Sequence, residues 1–187
     1  MSVLLVVAGP SGAGKGTIVR RLLERDRGNL WFSVSVTTRP ARAGERDGVD
    51  YHFLSDEEFD ARLQRDDFLE WFPVFGARYG TPREPIEERL AAGTDVVLDL
   101  DVQGALAVRS QHPDAVLVFV RPPSREEQRR RLMARGVDDP EEIDRRLAAA
   151  AAEEARAPEF DAIVVNDDID RVVEQVAGIL ADRRVTR

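Results

Sequence analysis

Seven consecutive residues carry the clearest chemistry in this chain. Gly9-Pro10-Ser11-Gly12-Ala13-Gly14-Lys15 has a glycine at each end of a six-residue span and a lysine directly after it, the G-x-x-x-x-G-K pattern of a phosphate-binding loop. Glycines at these positions let successive backbone N–H groups turn toward a polyphosphate, and a helix beginning at the lysine adds its partial positive charge. The ammonium of Lys15 then neutralises β- and γ-oxygens. Lys15 is the only lysine in the chain, and the other cationic side chains are arginines. A planar guanidinium cannot replace a compact ammonium inside a tight backbone loop, so lysine is kept where geometry demands it. The residue after Lys15 is Gly16 rather than Ser or Thr, with Thr17 next. The loop therefore lacks the hydroxyl directly after the lysine that would hold Mg²⁺.

Such a loop works only between a buried strand and a helix. Val3 to Ala8 is an uninterrupted apolar run, as expected of a parallel strand covered on both faces. After Gly16, Ile18, Val19, Leu22 and Leu23 recur at helical spacing. Asp95 to Asp101, Ala115 to Val120 and Ala162 to Val165 read as further buried strands with helices between them. Ser124 with Glu127 has capping-box spacing, and Asp139, Pro140 and Glu142 combine an N-cap, an N1 proline and an acidic first turn. Ile169, Val172, Val173, Val176, Ala177 and Leu180 form one helical stripe that packs on the sheet. Residues 35–82 break the rhythm with Gly44, Gly48, Gly76, Gly80, Pro73 and Pro82. They read as an insert of short strands with one helix starting at Ser55, capped with Glu58, and turning Phe59 and Leu63 inward.

A chain of 187 residues can bury one continuous core. With no cysteine and two histidines, disulfides and cysteine-rich zinc sites are excluded. The net charge of −8 argues against a general nucleic-acid binder and requires any cationic site to be concentrated. The first apolar stretch is too short for a signal peptide or membrane span, so a cytoplasmic protein without membrane partners is expected.

Ordered motifs along most of the chain resemble guanylate kinases. They are Ser33 to Arg39, Gly44-Glu45, Gly48 to Tyr51, Glu70-Trp71, Tyr79-Gly80-Thr81, Leu98 to Gly104 and Val164 to Asp168. The resemblance implies an α/β fold: a P-loop core with a parallel five-stranded sheet flanked by helices, a small mixed α/β insert over 35–82 that holds GMP, and a helical lid over about 128–157. It implies that Arg39, Arg42, Tyr51 and Tyr79 grip the GMP phosphate, and guanidinium forks and phenol hydroxyls suit that task. It also implies that Ser35, Glu70 and Thr81, helped by Asp101, read guanine: a carboxylate accepts from N1–H and the 2-amino group together, while adenine offers the opposite polarity. Arg135 and Arg146 match lid arginines that close over ATP, and Lys15 and Arg39 join them as the catalytic cations. Asn166 resembles an adenine-side contact beside the loop Gly9 to Thr17, although an Asx-capped turn explains it from local sequence nearly as well. Asp99 resembles a water-mediated Mg²⁺ partner, while a strand-end aspartate also suits a helix cap. Gly-Lys-Gly-Thr is similar to the loop of adenylate kinases, in which the metal is held largely through water and phosphate.

The implied reaction is in-line transfer of the γ-phosphoryl group of ATP to GMP, and to dGMP, by a monomer or small homo-oligomer in purine metabolism. Two other readings stand beside it. One is a non-catalytic module that docks a phosphorylated peptide in the acceptor pocket. The other is a P-loop kinase of another small phosphate acceptor, such as ribose 1,5-bisphosphate.

Overall fold

In the computed structural model, residues 2–26, 28–74, 76–134, 136 and 139–186 are described. The apolar run at the start forms β1 (Leu4–Ala8), and its alternating side chains enter two different cores. Leu5 and Val7 pack with Ile18 and Leu22 of α1 (Lys15–Arg25) and with Val172 and Val176 of α7 (Ile169–Thr186). Leu4 and Val6 face the opposite side, toward Val102, Ala105 and Val108 of α4 (Val102–Gln111) and Ile86 of α3 (Arg83–Ala91). A strand apolar on both faces is thus the middle of three layers. Each fully buried aliphatic side chain there contributes about 1.5–3 kcal/mol relative to exposure.

β1 pairs in parallel with β7 (Asp95–Leu100) and β8 (Val116–Arg121), β7 with β2 (Leu30–Phe32), and β8 with β9 (Ala162–Val165). The five-stranded parallel sheet that the family resemblance implied is present, with the order β2-β7-β1-β8-β9. β2 is the strand that pattern alone did not locate, because three residues offer too short a run. β7 ends one residue early, at Leu100: Asp101 turns out of the ladder and caps α4, accepting from Gly104 N at 2.7 Å.

A second sheet, of order β4-β3-β6-β5, is made by β3 (Val36–Thr37), β4 (His52–Phe53), β5 (Phe68–Val74) and β6 (Ala77–Pro82). Its own small core stacks Phe59 of α2 (Asp56–Gln64) on Phe68, with ring centroids 4.6 Å apart. The box at Ser55 and Glu58 forms in both directions. The expected box at Ser124 forms only by half: Ser124 caps α5 (Arg125–Ala134) through Glu127 N, but the Glu127 carboxylate pairs with Arg130 and Arg131. Two arginines one turn onward outcompete a neutral backbone donor. Asp139 and Pro140 start α6 (Pro140–Ala155) as the sequence predicts. No helix among the described residues is long and apolar enough to cross a membrane.

Candidate active site

The loop between β1 and α1 lies at the carboxyl edge of the parallel sheet, where open α/β sheets bind ligands. Gly14 is the N-cap of α1 in the left-handed region, with φ of 92°, and no side chain caps the helix. The first N–H groups of α1 are therefore left facing the cleft, an arrangement suited to an anion. A Cβ on Gly14 would also strike the Asn166 amide, and one on Gly9 would strike the Val120 carbonyl oxygen.

The outward carbonyls of the loop are held from behind. Ser11 O accepts from Gln128 Nε2 at 2.7 Å, and Ala13 O accepts from Asn166 Nδ2 at 2.7 Å and from Arg131 Nη1 at 3.3 Å. Inside the loop, Ala13 N donates to Pro10 O at 3.1 Å, which closes a turn ahead of Gly14. Lys15 Nζ donates to Gly9 O at 2.7 Å and stands 4.0 Å from Asp99 Oδ1. Arg146, on α6, reaches Ser11 Oγ at 3.3 Å and is steadied by Glu142 at 3.0 Å.

Across the cleft, the second sheet sets a different group of side chains. Glu70 on β5 and Thr81 on β6 are cross-strand partners, and Thr81 Oγ1 donates to Glu70 Oε1. Gly104, at the start of α4, makes room for the Glu70 carboxylate: a Cβ there would lie 3.2 Å from Glu70 Oε2 and 3.3 Å from Asp101 Oδ1. Burial pushes the Glu70 carboxyl up to about 7, against the pull of the Thr81 hydroxyl, and the Asp101 charge adds to the rise. The Arg39 fork is held by both Glu45 oxygens, at 2.8 and 3.0 Å, and Arg39 Nε donates to Tyr79 OH at 3.2 Å. Its guanidinium lies 5.2 Å from the centre of the Tyr51 ring. Burial alone would lower the Arg39 pKa, but the bonds to Glu45 and Tyr79 raise it above its ordinary value. The Tyr51 hydroxyl is pushed up to about 12 by burial, then by the charges of Asp99 and Tyr79.

Both groups line one cleft of about 340 Å³, together with Ser35, Arg42, Asp99 and Asp101. Thr81 stands behind Glu70 and is fully buried. Thr17 is exposed in the first turn of α1, Pro10 and Ala13 form the back of the loop, and buried Asn166 points its amide at Ala13 O. Arg135 lies outside the described residues. For a metal, the Asp99 carboxylate sits beside Lys15 and Gly16, where a Cβ would come within 3.4 Å of Asp99 Oδ2. Among the described residues no group of three or more His, Asp or Glu side chains could enclose an ion. This donor set fits a Mg²⁺ whose ligands are mostly water and phosphate oxygens, with Asp99 at its edge.

Sequence reasoning did not single out Glu45, Gln128, Arg131 or Glu153 as working residues. Glu45, three residues after Arg42, accepts from Arg42 N at 2.8 Å, and that spacing was the available signal. Gln128 lay one turn before Leu132 on a buried face, where a neutral amide is out of place unless it has a partner.

Comparison with known proteins agrees with this architecture along its length. The guanylate kinase family profile matches residues 1–183. The chain is 51% identical over 178 residues to a guanylate kinase of Thermobifida fusca, covering 95% of this chain and 90% of the relative. It is 54% identical over 180 residues to one of Gloeobacter violaceus, covering 96% and 87%. The crystal structure of guanylate kinase from Anaplasma phagocytophilum superposes with a TM-score of 0.81 at 35% identity, covering 97% of this chain and 85% of that one. A phosphate-binding loop facing a carboxylate-and-arginine pocket, inside a match that runs nearly end to end, places the chain in the guanylate kinase family.

Proposed function

We propose that the chain is an ATP:GMP phosphotransferase, forming ADP and GDP from ATP and GMP, and acting on dGMP as well. The observation that carries this reading is one cleft with two complementary walls: the Lys15 loop on one, and Arg39, Tyr79 and Glu70 on the other. ATP lays its phosphates along the N–H groups between Gly9 and Thr17, with Lys15 on the β- and γ-oxygens. Lys15 then leaves the Gly9 carbonyl that holds it in the free protein. GMP places its phosphate against Arg39, Arg42, Tyr51 and Tyr79, and its N1–H and 2-amino group on Glu70, with Ser35 and Asp101 completing the guanine seat and Thr81 holding Glu70 from behind. Glu45 keeps the Arg39 fork aimed before substrate arrives, so less ordering entropy is lost on binding.

No general base is needed, because the attacking oxygen already belongs to an anionic phosphate. The protein contributes alignment and charge: an acceptor oxygen of GMP attacks the γ-phosphorus as the bond to the β-bridging oxygen breaks, and the electron pair leaves with ADP. Lys15, Arg39 and Arg146 face the charge that spreads over the transferring group, with Arg135 assigned to the same lid by sequence. Mg²⁺, when bound near Asp99, would supply further neutralisation of the β- and γ-oxygens. The segment over about 128–157 is the lid in this reading, residues 35–82 the acceptor insert, and the setting cytoplasmic purine nucleotide metabolism by a monomer or small homo-oligomer.

A coupled ADP-release assay with Mg²⁺ and ATP, run across GMP, dGMP, AMP, UMP and ribose 1,5-bisphosphate, tests the proposal. Turnover is expected with the two guanine nucleotides. Absence of ADP formation with GMP, or equal rates with AMP or ribose bisphosphate, would overturn it.

A further inference from the structure

Among the charged side chains that line the cleft, one takes no part in the proposed transfer. Glu153 lies on α6, seven residues after Arg146, which is two helical turns and roughly 10 Å along the same face. It lines the same cleft as Lys15, Asp101 and Arg146. Its Oε2 is shielded from solvent and has no hydrogen-bond donor among the described residues. Burial raises its carboxyl pKa, Lys15 draws it down, and the Asp101 charge raises it further. Shielding a carboxylate oxygen without a donor is costly, and on the wall of a ligand cleft a donor from the ligand offsets that cost.

The chemistry of the two nucleotides narrows that partner. Their phosphates are anions and would be repelled. In the proposed pose the guanine N–H donors go to Glu70, and adenine lies on the side of Asn166, which is bonded to Ala13 O behind the loop. The charged neighbours of Glu153 are Asp101, in the guanine seat, and Lys15, at the transferring phosphate. A GMP molecule spanning from Glu70 to Arg39 must carry its sugar through the intervening space. The neutral donors on that stretch are the ribose hydroxyls.

Resting on the assignment of the acceptor seat to GMP, we propose that Glu153 accepts a hydrogen bond from a hydroxyl of the acceptor ribose and so joins the lid helix to the acceptor sugar. The contact makes Glu153 a specificity residue for the sugar, and it couples α6 to both substrates: Arg146 at the phosphate loop and Glu153 at the sugar. A nucleotide lacking the hydroxyl would still find its base and phosphate seats and be turned over, with a lower kcat/KM.

The test compares GMP, 2′-deoxy-GMP, 3′-deoxy-GMP and 2′,3′-dideoxy-GMP on the wild-type protein and on Glu153→Leu and Glu153→Gln. A hydrogen bond to a charged group corresponds to a factor of about 10–100 in kcat/KM. Glu153→Leu is expected to lose that factor on GMP and less than about threefold on dideoxy-GMP. Glu153→Gln, which retains a neutral acceptor, is expected to fall between. The single-deoxy analogues identify the hydroxyl: the one whose removal makes wild type and Glu153→Leu alike is the partner. Equal losses on all four nucleotides would overturn the proposal, as would a change confined to the ATP KM or to the Mg²⁺ requirement. Thermal midpoints of both variants check folding, and if Glu153→Leu does not fold, Glu153→Gln alone decides by the same comparison. A wild-type protein that turns over GMP while Glu153 variants lose activity uniformly removes only the sugar contact; one inert toward GMP removes the phosphotransferase reading with it.

Discussion

Replacing Glu70 by Gln should move activity and stability in opposite directions. The carboxyl is buried beside Asp101, and its pKa is raised from an ordinary value near 4.5 to about 7. A raised carboxyl pKa means that the fold favours the neutral form. Its cost is absent below about pH 4.5, grows as pH rises, and is complete above about pH 7. At 1.36 kcal/mol per unit, and with an uncertainty near one unit, ionised Glu70 costs the free protein on the order of 2–5 kcal/mol. Gln at this position carries no charge, and its carbonyl can still accept from the Thr81 hydroxyl. At pH 8 Glu70→Gln should therefore unfold several degrees higher than wild type, since 1 kcal/mol is worth about 2–4 °C in a chain of this size. GMP would lose a charge-assisted acceptor, about 1.5–3 kcal/mol, and face an amide N–H where it needs a lone pair. Together these imply a fall in kcat/KM for GMP of roughly 10² to 10³, with little change in the ATP KM. Steady-state kinetics with each nucleotide varied, and thermal melts at pH 5 and pH 8, measure both arms. A lower melting point at pH 8, or equal losses for ATP and GMP, would refute the reasoning.

The same carboxyl predicts that wild-type kcat/KM for GMP falls about tenfold per pH unit below roughly pH 7, with the bend in Glu70→Gln moved down to the titration of the GMP phosphate near about pH 6. Lys15→Arg should reduce phosphoryl transfer by at least about 10², because the guanidinium does not fit the loop; retained turnover would undo the assignment of Lys15. Asn166→Ala removes the amide that holds Ala13 O, and the ATP KM should rise about tenfold while the GMP KM holds. Asp95→Ala leaves Val3 N without its acceptor and Arg184 without one of its two carboxylates. Chemical denaturation should register a loss of about 2–4 kcal/mol with unchanged KM values for both nucleotides.

Some of the molecule is written locally. The strand, loop and helix at Leu4 to Arg25 could be read from apolar runs and glycine spacing, because a strand covered on both faces and a helix with one apolar stripe leave different periodicities. The same is true of the α6 start, where Asp139 caps and Pro140 occupies a position that needs no N–H. The arginine, tyrosine and glutamate groups of the acceptor wall were legible only through the family resemblance, since no local period distinguishes Glu70 from a surface carboxylate.

Other features belong to the tertiary structure. That Thr81 supplies Glu70 with a donor depends on the register of β5 against β6, and that Gly104 admits the carboxylate depends on where α4 begins. Gln128, Arg131 and Asn166 converge on two loop carbonyls from positions 117 to 153 residues away. The Oε2 of Glu153 is shielded only once α6 packs along the cleft wall. Burial, desolvation and hydrogen-bond partnership are properties of neighbours brought together by folding, and sequence spacing encodes them only when those neighbours share one strand or one helical turn.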